Sequence, residues 1–139
     1  MGGKLVEAIR ELKRLSGGRV TSAPLPGDDL ISEYESEVGF LFPEEYKYFL
    51  KHASNIFFGT KDPLVVTRDR TDRSELRNAI CEGGKMGVPH DWLPICGDNG
   101  DYYCIMPNRR VRFWSGNGVT KESWQDIATW VREVWIAEG

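Results

Sequence analysis

Asp91-Trp-Leu-Pro-Ile-Cys-Gly-Asp-Asn-Gly-Asp-Tyr-Tyr-Cys-Ile-Met106 is the stretch from which the fold can be read. Two apolar runs flank Asp98-Asn99-Gly100-Asp101, and Asn-Gly is the pair that best accepts the two positive φ angles of a type I′ hairpin turn. After the break at Pro107-Asn108, Arg110 to Ser115 supplies a third strand. The stretch is therefore the centre of an antiparallel sheet. A two-residue turn sets Cys96 opposite Tyr103 and Cys104 opposite Ile95. The two cysteines then point to opposite faces, because side chains alternate along each strand. Cys81, Cys96 and Cys104 are all expected to be small buried hydrophobes in a reducing compartment.

Working outward, the segments before this sheet carry helical periodicity. Leu5, Ile9 and Leu12 predict a helix over Lys4 to Leu15, stopped by Gly17-Gly18. Arg19 to Gly27, with Pro24 and Pro26, is a link. Asp28 and Asp29 are placed to cap a second helix reaching Glu37, with Leu30, Tyr34 and Val38 on its apolar side. Gly39 ends it. Pro43 suits the first turn of a third helix whose buried stripe is Tyr46, Phe49, Leu50 and Ala53. Asn55 to Gly59 is a turn, and Pro63 to Thr67 is β-rich enough to be a strand. Arg73 to Met86 is a weaker helix, with Gly83-Gly84 expected to loop out.

Beyond the third strand, Lys121 to Ala137 is predicted to be a helix, with Trp124, Ile127, Ala128, Val131, Val134 and Trp135 along one side. No linker divides the chain, so 1–139 is expected to form one domain. Helices, then strands, then a helix imply an α+β fold: one antiparallel sheet of about four to six strands with helices packed against it.

The composition excludes several functions. The 139 residues are 40% hydrophobic and 28% charged, which is a globular balance. A net charge of −3 gives no basic footprint for nucleic acid. No apolar stretch reaches a membrane span, and the N-terminus lacks the apolar core of a signal peptide, so the expectation is a cytoplasmic protein.

Candidate chemistry is sparse. Asp98 and Asp101 could suggest calcium, but the alternating oxygen ligands and distal Glu of an EF-hand loop do not follow, and hairpin chemistry explains the pair. His52 and His90 have no metal-like partner at i+3 or i+4. A Cys81–His90 dyad has no sequence signature and remains a distant contender for an enzyme. No catalytic, cofactor or metal residues are assigned.

Partner surfaces offer more. Asp28, Asp29, Glu33, Glu35, Glu37, Glu44 and Glu45 lie in one block without Lys or Arg, while basic residues gather in Lys4 to Arg19, Arg68 to Arg77 and Arg109 to Arg112. The helix macrodipole explains part of this. So one-sided a block can also steer a basic partner. Trp130 falls off the C-terminal stripe, and Trp114 shares a strand face with Arg110 and Arg112. Exposure of either would make it a candidate interface anchor.

Two segments together resemble the SUKH superfamily, which includes the Smi/Knr fungal cell-wall regulators and many bacterial immunity proteins. The first is Ile31-Ser-Glu-Tyr-Glu35 through Gly39, then Phe42-Pro43-Glu-Glu-Tyr46, Phe49-Leu50 and Asn55. The second is Trp92-Leu-Pro-Ile95, Asp98 to Tyr103 and Val111-Arg-Phe-Trp114, followed by Ser123-Trp124 and Trp130-Val131. The resemblance runs from about Asp28 onward, leaving 1–27 as an N-terminal helix and loop. Phe42 stands where the family usually has Leu, and Ile56 where it often has Gly. The resemblance implies a non-catalytic, cofactor-free domain that works by binding protein. In bacteria such a domain is commonly an immunity protein occluding a toxin, often a basic nuclease. The alternative is a regulatory or scaffold module of the Smi/Knr type. The acidic block and Trp114 are the candidate partner-binding residues.

Overall fold

Asn99 and Gly100 have φ angles of 52° and 87°, both positive as the type I′ turn requires, and join β2 (Leu93–Asp98) to β3 (Asp101–Ile105). The computed structural model describes residues 3–69 and 72–138. Before the hairpin come α1 (Gly3–Ser16), α2 (Asp28–Val38), α3 (Glu44–His52), β1 (Asp62–Pro63) and α4 (Leu76–Met86). After it come β4 (Val111–Ser115), β5 (Gly118–Trp124) and α5 (Ile127–Trp130), which continues as a π-helical segment, Val131–Ile136. The sheet is antiparallel, with its five strands in sequence order, so the fold is α+β as expected.

Register differs from expectation at one point. Cys96 lies opposite Tyr103 as predicted, but Cys104 faces Pro94, because a bulge between Pro94 and Cys96 makes Ile95 the extra residue. The cysteines still occupy opposite faces. Cys96 lies in the main core with Leu93, Tyr103, Ile105 and Val111. Cys104 lies in a small second cluster with Val88 and Trp114, against which Trp92 and Tyr102 pack.

The strand expected over 63–67 is shorter and starts one residue earlier, at Asp62–Pro63. Asp62 and Pro63 pair with Gly97 and Cys96, and the Leu64 N–H reaches the Ile95 carbonyl at 2.9 Å. Val65 then bridges to Glu75 instead of continuing the ladder. Leu64 to Thr67 are nevertheless all buried, which is why the segment reads as a strand.

Three further expectations are corrected. Gly27 is the N-cap of α2, and neither aspartate caps it; Asp28 and Asp29 occupy its first turn. Gly83 and Gly84 lie within α4 rather than looping out. A Cβ on Gly83 would meet Val88 Cγ2 at 3.2 Å and Tyr102 Cε2 at 3.6 Å, so the glycine permits close packing there. Finally, 121–124 belongs to β5, not to the terminal helix. Trp124 faces Val111 across the ladder, and its ring lies 5.6 Å from that of Tyr103. The helix starts later because Asp126 is its N-cap, accepting from the Thr129 N–H at 2.8 Å.

Trp130 is fully buried, so it offers no interface anchor. The terminal helix contacts α1 as well as β5, which widens its buried face beyond a simple stripe. In the π segment, hydrogen bonds run between residues five apart. Trp130 and Trp135, at that spacing, bring their ring centroids to 6.0 Å. Phe49 of α3 and Tyr103 of β3 complete the aromatic centre, at 6.3 Å and 5.4 Å from Trp130.

Candidate partner-binding surface

α2 is amphipathic: Ile31 and Tyr34 enter the core, which turns Asp28, Asp29, Glu33 and Glu37 outward. The acidic block that the sequence presents as unopposed is largely matched in space. Asp28 pairs with Lys51 at 2.9 Å, Glu33 with Arg68 at 3.3 Å, Glu37 with Arg77 at 3.2 Å and Glu44 with Lys47 at 3.4 Å. The hydrogen bond from Lys51, together with its charge, lowers the Asp28 pKa. Lys47 and Lys51 lie on α3, Arg68 before α4 and Arg77 within it. Sequence order separates them from α2, and folding brings them back. Arg70, in the same basic stretch, lies outside the described residues.

Glu35 has a different task. Its carboxylate accepts the Phe42 N–H at 2.7 Å and lies 3.8 Å from Lys47, with only 10% of the side chain exposed. It pins the loop between α2 and α3. Asp29 and Glu45 complete the block, and among the described residues neither joins an ion pair. Exposed ion pairs in water contribute little stability, so the paired acids can exchange partners at small cost.

Trp114 offers no surface: it is 5% exposed, covered by Val88 and flanked by Trp92 and Tyr102. Arg112, on the same face, holds its guanidinium 5.6 Å from the centroid of the Trp92 ring and donates to the Thr120 carbonyl at 2.6 Å.

The cysteines divide by face and burial. Cys81 is exposed, not buried as expected, because it sits on the outer side of α4. Burial pushes the Cys96 and Cys104 thiols up to about 12. A thiol-specific reagent at neutral pH should therefore modify one thiol, Cys81, in the native protein and two more only on unfolding. Rapid native labelling of Cys96 or Cys104, read by peptide mapping, would contradict the burial. His90 is exposed beside Pro89, and partial burial with Lys13 and Lys51 nearby lowers the His52 pKa.

A feature absent from the sequence reading lies beside the pinned loop. Leu41 is 88% exposed, the most solvent-accessible of the large hydrophobic side chains among the described residues. It forms one wall of a cleft of about 200 Å³. Buried Phe42, Leu93 and Ile105 give it an apolar floor, and Asp91, Pro107 and Arg109 also line it. The signal was present as the four-residue run Phe40-Leu41-Phe42-Pro43, more apolar side chains than a short helix connection can bury. Only Phe42 and Pro43 had an assigned place.

The family model SUKH_5, described as SMI1-KNR4 cell-wall, matches residues 4–136. The chain belongs to the SUKH superfamily. The match takes in α1, which lies before the segments that carry the sequence resemblance. A crystal structure of a protein from Pseudomonas syringae pv. tomato is similar to this SUKH chain at 31% identity and a TM-score of 0.86, covering 95% of this chain and 98% of that one. No curated protein matches. Among the described residues, no helix of this SUKH protein is long and apolar enough to cross a membrane.

Proposed function

We propose that this SUKH protein is a non-catalytic binding module, an immunity protein that neutralises a cognate toxin in the cytoplasm by stoichiometric occlusion. Family membership supports a binding role. The observation that carries the surface assignment is the outer face of α2, where Asp28, Asp29 and Glu33 project from a helix whose other side is locked into the core. A rigid, exposed acidic face needs little ordering on association and attracts a basic partner such as a nuclease domain. Its cations can yield to the partner's own. The regulatory or scaffold reading draws on the cell-wall description of the matching family.

Affinity capture from native cells separates the two. One basic protein in equimolar amount, toxic when expressed alone, is expected for immunity; several substoichiometric envelope proteins would favour the scaffold. With the partner in hand, Asp29→Lys combined with Glu33→Lys should slow association about tenfold at low salt, and less as salt rises. Glu35 is left intact because it holds the 39–42 loop. Association unchanged in that variant would remove the α2 face from the account.

A further inference from the structure

Resting on the reading of α2 as the partner surface, we infer that Arg68 is a resident competitor on its acidic face. An arginine or lysine side chain of the protein partner takes its place there.

Asp29, Glu33 and Glu37 follow one another at four-residue intervals, so they form one stripe along α2, with neighbouring Cβ atoms about 6 Å apart. The chain already seats guanidinium groups on this stripe. Arg68 reaches Glu33 at 3.3 Å from the segment before α4, and Arg77 reaches Glu37 at 3.2 Å from within α4. Asp29, the first of the three, joins no ion pair among the described residues. The occupants in place show the chemistry that the stripe takes, and one of its carboxylates is unclaimed.

The two seated cations are not held alike. The Arg68 and Glu33 side chains are 69% and 61% exposed, so water reaches both partners and the pair contributes little to stability. Glu37 is only about half as exposed as Glu33. Arg68 is therefore the cation that leaves at the smaller cost.

Arg68 also lines a cleft of about 580 Å³ at the first turn of α2, together with Leu25, Asp28, Asp29 and Leu30. Leu25 is exposed. A long basic side chain entering the cleft lays its methylene stem along the leucines and carries its charge to Asp29. The positive end of the helix opposes that charge with roughly half an elementary charge, which the full charge of the Asp29 carboxylate outweighs. Asp28 is already held by Lys51. Once Arg68 turns away, Glu33 stands one turn along the stripe from Asp29, and the two carboxylates share the incoming cation. Arg68 thus discriminates against weakly basic partners, because only a cation that binds the stripe better than Arg68 gains by displacing it.

Fluorescence anisotropy of a labelled oligoarginine peptide with the full chain tests this at physiological ionic strength, where exposed charges more than about 8 Å apart are largely screened. Arg68→Gln should bind the peptide about threefold more tightly than the wild type, the size expected for releasing one exposed ion pair. Its thermal midpoint should be unchanged. Arg68→Lys keeps the competing charge and should match the wild type. Lys121→Gln makes the same change in net charge on edge strand β5 and should leave the affinity unaltered. Asp29→Asn should weaken binding about threefold. If Arg68→Gln binds no better than the wild type or Lys121→Gln, while Asp29→Lys with Glu33→Lys abolishes binding, the competitor role is overturned and the α2 reading stands. If no variant of Asp29 or Glu33 alters binding, both are overturned. An oligoglutamate peptide that binds the wild type and is lost in Arg68→Gln would also overturn the inference, by making Arg68 itself the seat.

Discussion

Glu75→Ala is expected to destabilise the protein by about 3 kcal/mol, measured as the shift in urea midpoint at constant m value. Glu75 is 1% exposed and carries the most deeply buried carboxylate described. Its oxygens accept from the Tyr34 hydroxyl at 2.8 Å, from the Thr67 N–H at 3.1 Å and from the Thr67 hydroxyl. Removing the acceptor leaves these buried donors to find other partners, and unmet donors cost far more than the bond itself contributes. The alanine also leaves a cavity.

The Tyr34 hydroxyl has a second role there. It accepts the Arg77 N–H at 2.6 Å, so a phenol from α2 supplies the cap that the Glu75 side chain does not give to α4. Tyr34→Phe should therefore cost about 1.5 kcal/mol, with the alanine and phenylalanine effects less than additive when combined. A loss below about 1 kcal/mol for Glu75→Ala, or full additivity, would show that α2, the backbone at Thr67 and the start of α4 do not depend on this cluster.

That cluster marks the limit of what the residues reveal in order. The hairpin was legible because its turn chemistry is local: Asn99 and Gly100 adopt the two positive φ angles without help from elsewhere. The first three helices were legible because their apolar faces repeat at helical spacing. Glu75 was not, because its partners lie 41 and 8 residues away, and nothing local marks a glutamate as buried. The acidic block failed for the same reason in reverse. Its isolation holds along the chain and disappears once Lys51, Arg68 and Arg77 return in space.

β5 was misread as helix because Trp124 continues the apolar series of Ile127 and Ala128 in sequence, while in the fold it pairs with Val111. A period of 3.6 cannot locate the boundary when an edge strand runs directly into a helix. The same limit hid the Leu41 cleft, whose two walls come from loops with no shared periodicity.

The terminal helix yields the second large effect. Trp130→Ala should cost about 4 kcal/mol, since it removes a fully buried indole from the centre of the core. Phenylalanine substitutions separate packing from hydrogen bonding. The Trp135 indole N–H donates to the Phe58 carbonyl at 3.0 Å, whereas the buried Trp130 N–H has no hydrogen-bond partner among the described residues.

Trp135→Phe loses ring area and leaves that carbonyl short of a donor. Trp130→Phe loses similar area but also removes a polar group whose burial was uncompensated. Trp135→Phe should therefore be the more destabilising by about 1 kcal/mol, read from paired urea titrations. The reverse order would mean that the Trp130 N–H is the better satisfied of the two. The Phe58 contact would then contribute nothing to holding the π segment against the 58–61 loop. The expected order makes Trp135 the tie between the chain's last helix and that loop, and Trp130 the ring around which Phe49, Tyr103 and Trp135 are arranged.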